Sequence, residues 1–144
     1  MNRRILALDV GDKTIGVAVS DGLLLTAQGV GVVRRTSPER DFGQLGEVIA
    51  KYMPKEIVVG FPKNMNGSVG PRGQLVQQFA DQLAAVFPET KVILRDERLS
   101  TVAAEKSLIA ADVSRAKRRQ VIDKMAAVFI LQGYLDSLPK GNLP

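Results

Sequence analysis

Carboxylates in apolar surroundings are the residues here from which chemistry can be built. Asp9 interrupts the apolar run Ile5 to Val10, and in an extended chain it shares a face with Ile5 and Ala7. A carboxylate on an apolar strand face needs a hydrogen-bonded partner or a metal. The plainer alternative, a strand-end Asp capping the next turn, is weakened because Asp12 already supplies turn chemistry. Asp96-Glu97-Arg98 follows the apolar segment Val92 to Leu94, and ligand sites in open α/β sheets gather beyond the carboxyl ends of strands. Periodicity does not choose between these two acids, and a solvated charge cluster near the start of the next helix is the competing reading. Asp123, at about 100° per residue, aligns with Ala127, Ile130, Leu131 and Tyr134 on a stripe that should face the protein. Its bland alternative, an i,i+4 ion pair with Arg119, requires an exposed face and contributes little.

The chain has no His and no Cys, which removes imidazole bases, thiolate nucleophiles and soft metal sites. Hydrolysis then rests on carboxylates, lysines, hydroxyls or a hard cation, with Mg²⁺ or Mn²⁺ leading. Three acids from two strands and a helix, aimed at one end of a sheet, can bind two such cations about 3.5 to 4 Å apart. That arrangement activates water and stabilises the leaving oxygen of a phosphodiester. Around the acids stand Lys13, Arg98, the run Arg115-Ala116-Lys117-Arg118-Arg119, and Lys124. These cations could hold phosphates, although a charge run is more often a solvated face.

Positioning these groups requires a sheet. Ile5 to Val10 and Ile15 to Val19, separated by Gly11-Asp12-Lys13, form a predicted β-hairpin, and a third strand is expected from Leu24 to Val33, where Gly29 and Gly31 mark either bulges or a close approach of another segment. Phe42, Leu45, Val48, Ile49 and Tyr52 fall at helical spacing between Ser37-Pro38 and Pro54. Glu56 to Gly60 is a buried strand that enters a long loop from Phe61 to Gly73. A helix from Leu75 to Phe87 and a strand over Val92 to Leu94 follow, then a helix from Ser100 toward Ala111 and a last one from between Ser114 and Arg119 toward Leu138. The order β-β-β-α-β-α-β followed by two helices calls for an α/β fold, a mixed five-stranded sheet with helices on both faces.

At 144 residues and 45% hydrophobic, the chain fits a single domain, 1–144, able to bury a sizeable core. Twenty Lys+Arg against 15 Asp+Glu give a net charge of +5, which suits a polyanionic partner. No uncharged apolar stretch of about 18 residues occurs, so no membrane association and a cytoplasmic location are expected.

The string Ala7-Leu8-Asp9-Val10-Gly11-Asp12-Lys13-Thr14-Ile15-Gly16-Val17-Ala18-Val19-Ser20-Asp21 resembles the opening motif of the YqgF/RuvX family. Three further segments agree in order and spacing: Val59 to Ser68, Asp96 to Thr101, and Asp123 to Gln132. The opening motif alone also occurs in actin-like ATPases and sugar kinases; the four together are specific. The resemblance implies an RNase H-like nuclease, kin to Holliday junction resolvases, that matures the 5′ end of pre-16S rRNA. It assigns Asp9, Glu97 and Asp123 as catalytic, metal-binding acids. The chain departs from the family at Asn66, where Asp is frequent, and at Ala116, which thins the basic run.

Three functions compete. The first is a metal-dependent nuclease acting on structured RNA or branched DNA, with nucleic acid and pre-ribosomal particles as its expected partners and a Holliday junction resolvase-like DNA endonuclease as its variant. The second is a nucleotide-binding phosphotransferase, which the length disfavours because actin-like kinases close two such domains around ATP. The third is a non-catalytic nucleic-acid-binding ribosome-assembly factor, for which the basic balance would suffice.

Overall fold

The computed structural model describes residues 4–97 and 115–139, the side chains of residues 115–124 excepted. Strands β1 (Ile5–Val10), β2 (Thr14–Ser20) and β3 (Ala27–Arg34) form an antiparallel meander. The hairpin expected from the Gly11-Asp12-Lys13 turn is present, and Gly11 N–H donates to the Thr14 carbonyl at 2.8 Å. β3 begins three residues later than its apolar pattern suggests. The Asp21 carboxylate accepts from Leu25 N and Thr26 N at 2.7 and 3.3 Å, and Leu24 takes a left-handed φ of 59°, so the turn consumes these residues. Opposite β2 the register runs Val17 to Gly31 and Ala18 to Gly29. Val30 is the extra residue of a bulge, bracketed by the two glycines that signalled it.

Helix α1 (Pro38–Tyr52) starts where Ser37 Oγ accepts from Arg40 N at 3.3 Å, with Pro38 in the first turn. It stops at Met53, whose φ of 46° reverses the chain before Pro54. β4 (Glu56–Phe61) and β5 (Lys91–Asp96) add to the sheet in parallel, connected by α2 (Pro71–Val86). The loop expected to run through Gly73 ends at Gly70, because Pro71 is the first helical residue, where its missing N–H costs nothing. The last helix, α3 (Arg115–Ser137), starts inside its predicted window. The helix expected from Ser100 lies outside the described residues.

The sheet order is β3-β2-β1-β4-β5. Alternation along the strands divides the interior in two. Leu6, Leu8, Ile15, Val17, Ile57 and Val59 turn toward α1 and α2, meeting Leu45, Val76, Phe79 and Leu83. Ile5, Ala7, Ala18 and Val58 turn the other way, toward Ala126, Ala127, Ile130 and Leu131 of α3. Helices therefore cover both faces, as the element order requires. Among the described residues no helix is long and apolar enough to cross a membrane.

α3 runs against β4. Ile130 lies over Gly60 near the carboxyl end of that strand, whereas Tyr134 donates from its hydroxyl to Glu56 Oε1, at the strand's amino end, at 3.2 Å. Gln132 ties the same helix to β3, its Oε1 accepting from Ala27 N and its Nε2 donating to the Leu25 carbonyl, both at 3.0 Å. The amino-terminal half of α3 thus projects toward the carboxyl ends of β1, β4 and β5.

Burial raises the Tyr134 phenol above its ordinary value of 10.0, Glu56 adds to the rise, and Arg95 opposes it. A raised value favours the neutral phenol in the folded state. The associated stability is present in full below pH 10 and is lost as pH climbs through the raised value. Tyr134→Phe is expected to cost about 1 kcal/mol at pH 8 in urea denaturation, and to remove that part of the stability loss seen above pH 10.

Candidate active site

Asp9 is the fifth residue of β1 and half-buried. As its strand period predicts, it lies on the α3 side of the sheet, with Ile5 and Ala7. Its neighbour on β2 is Gly16. On the other side Leu8 pairs with Val59, so the next residue of β4 is Gly60, which pairs in turn with Arg95 of β5. The sheet therefore carries a row, Gly16, Asp9, Gly60, Arg95, in which Asp9 stands between two residues that have no side chain.

That gap is used. A β-carbon built on Gly60 would lie 2.7 Å from Glu97 Oε1, 3.4 Å from Glu97 Cγ and 2.5 Å from Ile130 Cδ1. Carbon atoms do not approach that closely, so a side chain here would displace the ends of Glu97 and Ile130, and glycine leaves the room that both occupy. Glu97 follows β5 directly, and its carboxylate lies over the strand adjoining Asp9, about 4.8 Å away in a regular sheet. Asp96 pairs with Phe61, a residue of the α1/α2 core, and so belongs to the other face. The geometry separates two acids that spacing left equivalent, and it is Glu97 that shares a face with Asp9.

Asp123 lies two turns before Ile130 on α3, in the half of the helix that projects past the strand ends. Its side chain lies outside the described residues, as do those of Arg115, Lys117, Arg118, Arg119 and Lys124; Arg98 lies outside them altogether. Lys13 is exposed in the β1–β2 turn at this same end of the sheet, and its carbonyl accepts from Arg35 N at 2.8 Å. Among the described side chains no group of three acids is gathered closely enough to hold a metal; the structure brings Asp9 and Glu97 to one place.

The loop after β4 is internally organised. Asn66 Oδ1 accepts from Ser68 N at 3.0 Å and from Ser68 Oγ at 2.6 Å, and Asn64 Nδ2 donates to Ser68 Oγ at 2.9 Å. Asn66 works here through its oxygen, a role the Asp frequent in the family would also perform.

One feature at this end was missed by spacing. On the α1/α2 side of β1, next to Asp9, an open cavity of about 440 Å³ is lined by Val10, Gly11, Arg35, Arg72, Phe79 and other residues of α1 and α2. It joins segments far apart in the chain, and the one sequence cue was Arg34-Arg35 at the end of β3.

Comparison with known proteins gives a consistent picture. A family model described as RuvX, Holliday junction resolvase, matches residues 3–137. A protein of Bacillus subtilis (strain 168), named "Putative pre-16S rRNA nuclease", is 59% identical over 137 residues, 94% of this chain and 99% of that protein. One of Desulfitobacterium hafniense with the same name is 57% identical, covering 96% of each. Among solved structures, Thermus thermophilus RuvC in complex with a Holliday junction substrate superposes with a TM-score of 0.56 at 16% identity, covering 94% of this chain and 96% of that one. The fowlpox virus Holliday junction resolvase gives 0.55 at 18%, covering 94% and 99%. The fold is that of these RNase H-like resolvases.

Gly60→Ala is expected to destabilise the protein by about 1 to 3 kcal/mol, the range for overpacking, as read from the urea midpoint. Gly43→Ala in α1, where a β-carbon meets nothing within 4 Å, is expected to stabilise by about 0.5 to 1 kcal/mol.

Proposed function

The chain belongs to the RuvX family, and from that premise we propose that it is a divalent-metal-dependent nuclease that hydrolyses phosphodiester bonds in structured RNA, in the 5′-end maturation of pre-16S rRNA. The observation that carries the reading is the meeting of Glu97 with the strand row of Asp9, made possible by Gly60. The name shared by relatives 57 to 59% identical supplies the substrate.

The donor set fits hard cations. The two acids offer only carboxylate oxygens, and the chain has no His or Cys with which to prefer a softer metal. Asp9 and Glu97, completed by Asp123 from the descending helix, would hold Mg²⁺ or Mn²⁺. A pair of such ions, when bound, activates water and stabilises the charge that develops on the leaving oxygen. The protein's own part is to fix the carboxylates. β1 and β5 hold Asp9 and Glu97 on one face, and the glycines beside Asp9 keep side chains off the space above it. Lys13, Arg98, Arg115, Lys117, Arg118, Arg119 and Lys124 are assigned to the phosphates of the nucleic acid, as cations whose effect falls with salt. We read residues 1–144 as one nuclease domain, acting in the cytoplasm on pre-ribosomal particles.

A second reading, a DNA endonuclease acting on branched DNA, is favoured by the family's description as Holliday junction resolvase. One assay separates the two: purified protein with Mn²⁺, precursor rRNA fragments and four-way DNA junctions. Cleavage of the RNA is expected, lost on chelation with EDTA and restored by Mn²⁺. Asp9→Asn is expected to reduce the rate by more than about a hundredfold with an unchanged circular dichroism spectrum. Wild-type cleavage by that variant removes Asp9 from the mechanism, and cleavage of junctions alone replaces the RNA reading with the DNA one.

A further inference from the structure

The cavity beside β1 is separate from the acids but adjoins them, because consecutive residues of one strand serve the two places. Asp9 belongs to the α3 side, whereas Val10 and Gly11 line the cavity on the α1/α2 side. The two places are thus one residue apart along β1, on opposite faces of the sheet at the same end.

Its floor is a fixed guanidinium. Arg35 Nη1 donates to the Gly11 carbonyl at 2.7 Å, its Nε lies 3.7 Å from Asp41 Oδ2, and its Cζ stands 5.6 Å from the centroid of the Phe79 ring. Phe79 stacks in turn on Phe42 at 5.3 Å. Asp41 is only 3% exposed and also accepts from Thr36 N at 3.0 Å, so the anchor of Arg35 is itself held. The Arg35 side chain nevertheless remains one-third exposed. The wall is an outward row of α2, where Gln78 and Gln82 offer carboxamides and Leu75, 60% exposed, offers apolar surface. Across the mouth Arg72 and Asp12 form a 3.6 Å pair, solvent-exposed on both sides and therefore weak enough to yield.

These features suit one ligand chemistry. A planar cation backed by an aromatic ring is a stacking platform for a base, and carboxamides carry both donor and acceptor for a base edge. The volume lies in the range of pockets that enclose small organic ligands. A phosphate alone finds little free charge at the floor, because Arg35 already faces the buried Asp41 carboxylate. We propose that the cavity between the β1–β2 turn, α1 and α2 seats the base of one unpaired nucleotide flanking the bond that is cut.

The proposal rests on the nuclease reading, and its test has two arms. In the first, cleavage of a precursor rRNA fragment is followed with single abasic substitutions on either side of the scissile bond, by wild type and by Gln78→Ala/Gln82→Ala, whose changes are to exposed helix positions. One abasic position is expected to raise KM about tenfold for wild type with kcat little changed. The double variant is expected to show the raised KM on the intact strand and no further loss on the abasic one. Losses that multiply, or no sensitive flanking position, overturn the proposal. In the second arm, binding of a fluorescein-labelled single-stranded RNA is measured by anisotropy in EDTA, without hydrolysis. Binding about tenfold weaker by the double variant supports the cavity even if no substrate is cut, and equal binding by the two proteins overturns it. No cleavage by wild type combined with weakened binding by the variant therefore indicts the nuclease reading and spares the cavity.

Discussion

The site depends on a near-collision for which glycine leaves the room. At Gly60 a strand, a helix side chain and a carboxylate converge within distances that leave no room for a β-carbon. Packing at crystal-like density ordinarily excludes charge from such places. Here the missing side chain leaves a notch in the sheet surface near the carboxyl end of β4, and the Glu97 carboxylate and the end of Ile130 occupy it. The same absence lets α3 lie close against the sheet, an approach extended by Ala126 and Ala127, both wholly buried.

The two cores divide the labour. The α1/α2 side is built from large aliphatic and aromatic side chains, Leu45, Phe79 and Leu83 among them, and holds β1 and β4 in place. The α3 side mixes the small residues Ala7, Ala18, Ala126 and Ala127 with Ile5, Val58, Ile130, Leu131 and Leu135, and the alanines let the last helix lie close to the sheet. Fixing that helix at its lower end falls to polar contacts: Tyr134 to Glu56, Gln132 to the start of β3, and Arg95 Nη2 to the Gly133 carbonyl at 3.3 Å. Register between helix and sheet thus comes from these hydrogen bonds together with the seating of Ile130 over Gly60.

Much of this was legible in the residues, for identifiable reasons. Asp9 could be placed because a period of two is rigid, and an acid in phase with Ile5 and Ala7 must share their face. Gly29 and Gly31 allowed either a bulge or a close approach, and the register opposite β2 decides for the bulge. Periodicity could not choose between Asp96 and Glu97, because the choice depends on where β5 gives way and on the notch supplied by another strand; the family resemblance alone named Glu97. The loop after β4 was read three residues too long, since Pro71 signals both a turn and a first helical position, and only the tertiary setting decides. The start of β3 was misjudged by an equal span because the Asp21 side chain captured two backbone donors. The cavity was invisible for a more general reason: Arg35, Phe79 and the α2 carboxamides are neighbours only after the chain has crossed the sheet.

The bulge at Val30 has a bearing on how the molecule behaves in company. Among the described residues β3 is an outer strand, paired with β2, and a long flat margin of that kind is a template on which another chain can pair. By adding a residue in mid-strand, Val30 breaks the even spacing of the free amides and carbonyls and increases the local twist. The exposed charge of Arg34 closes the same margin at its far end. Irregularity of this kind disfavours the pairing of a further strand along that margin.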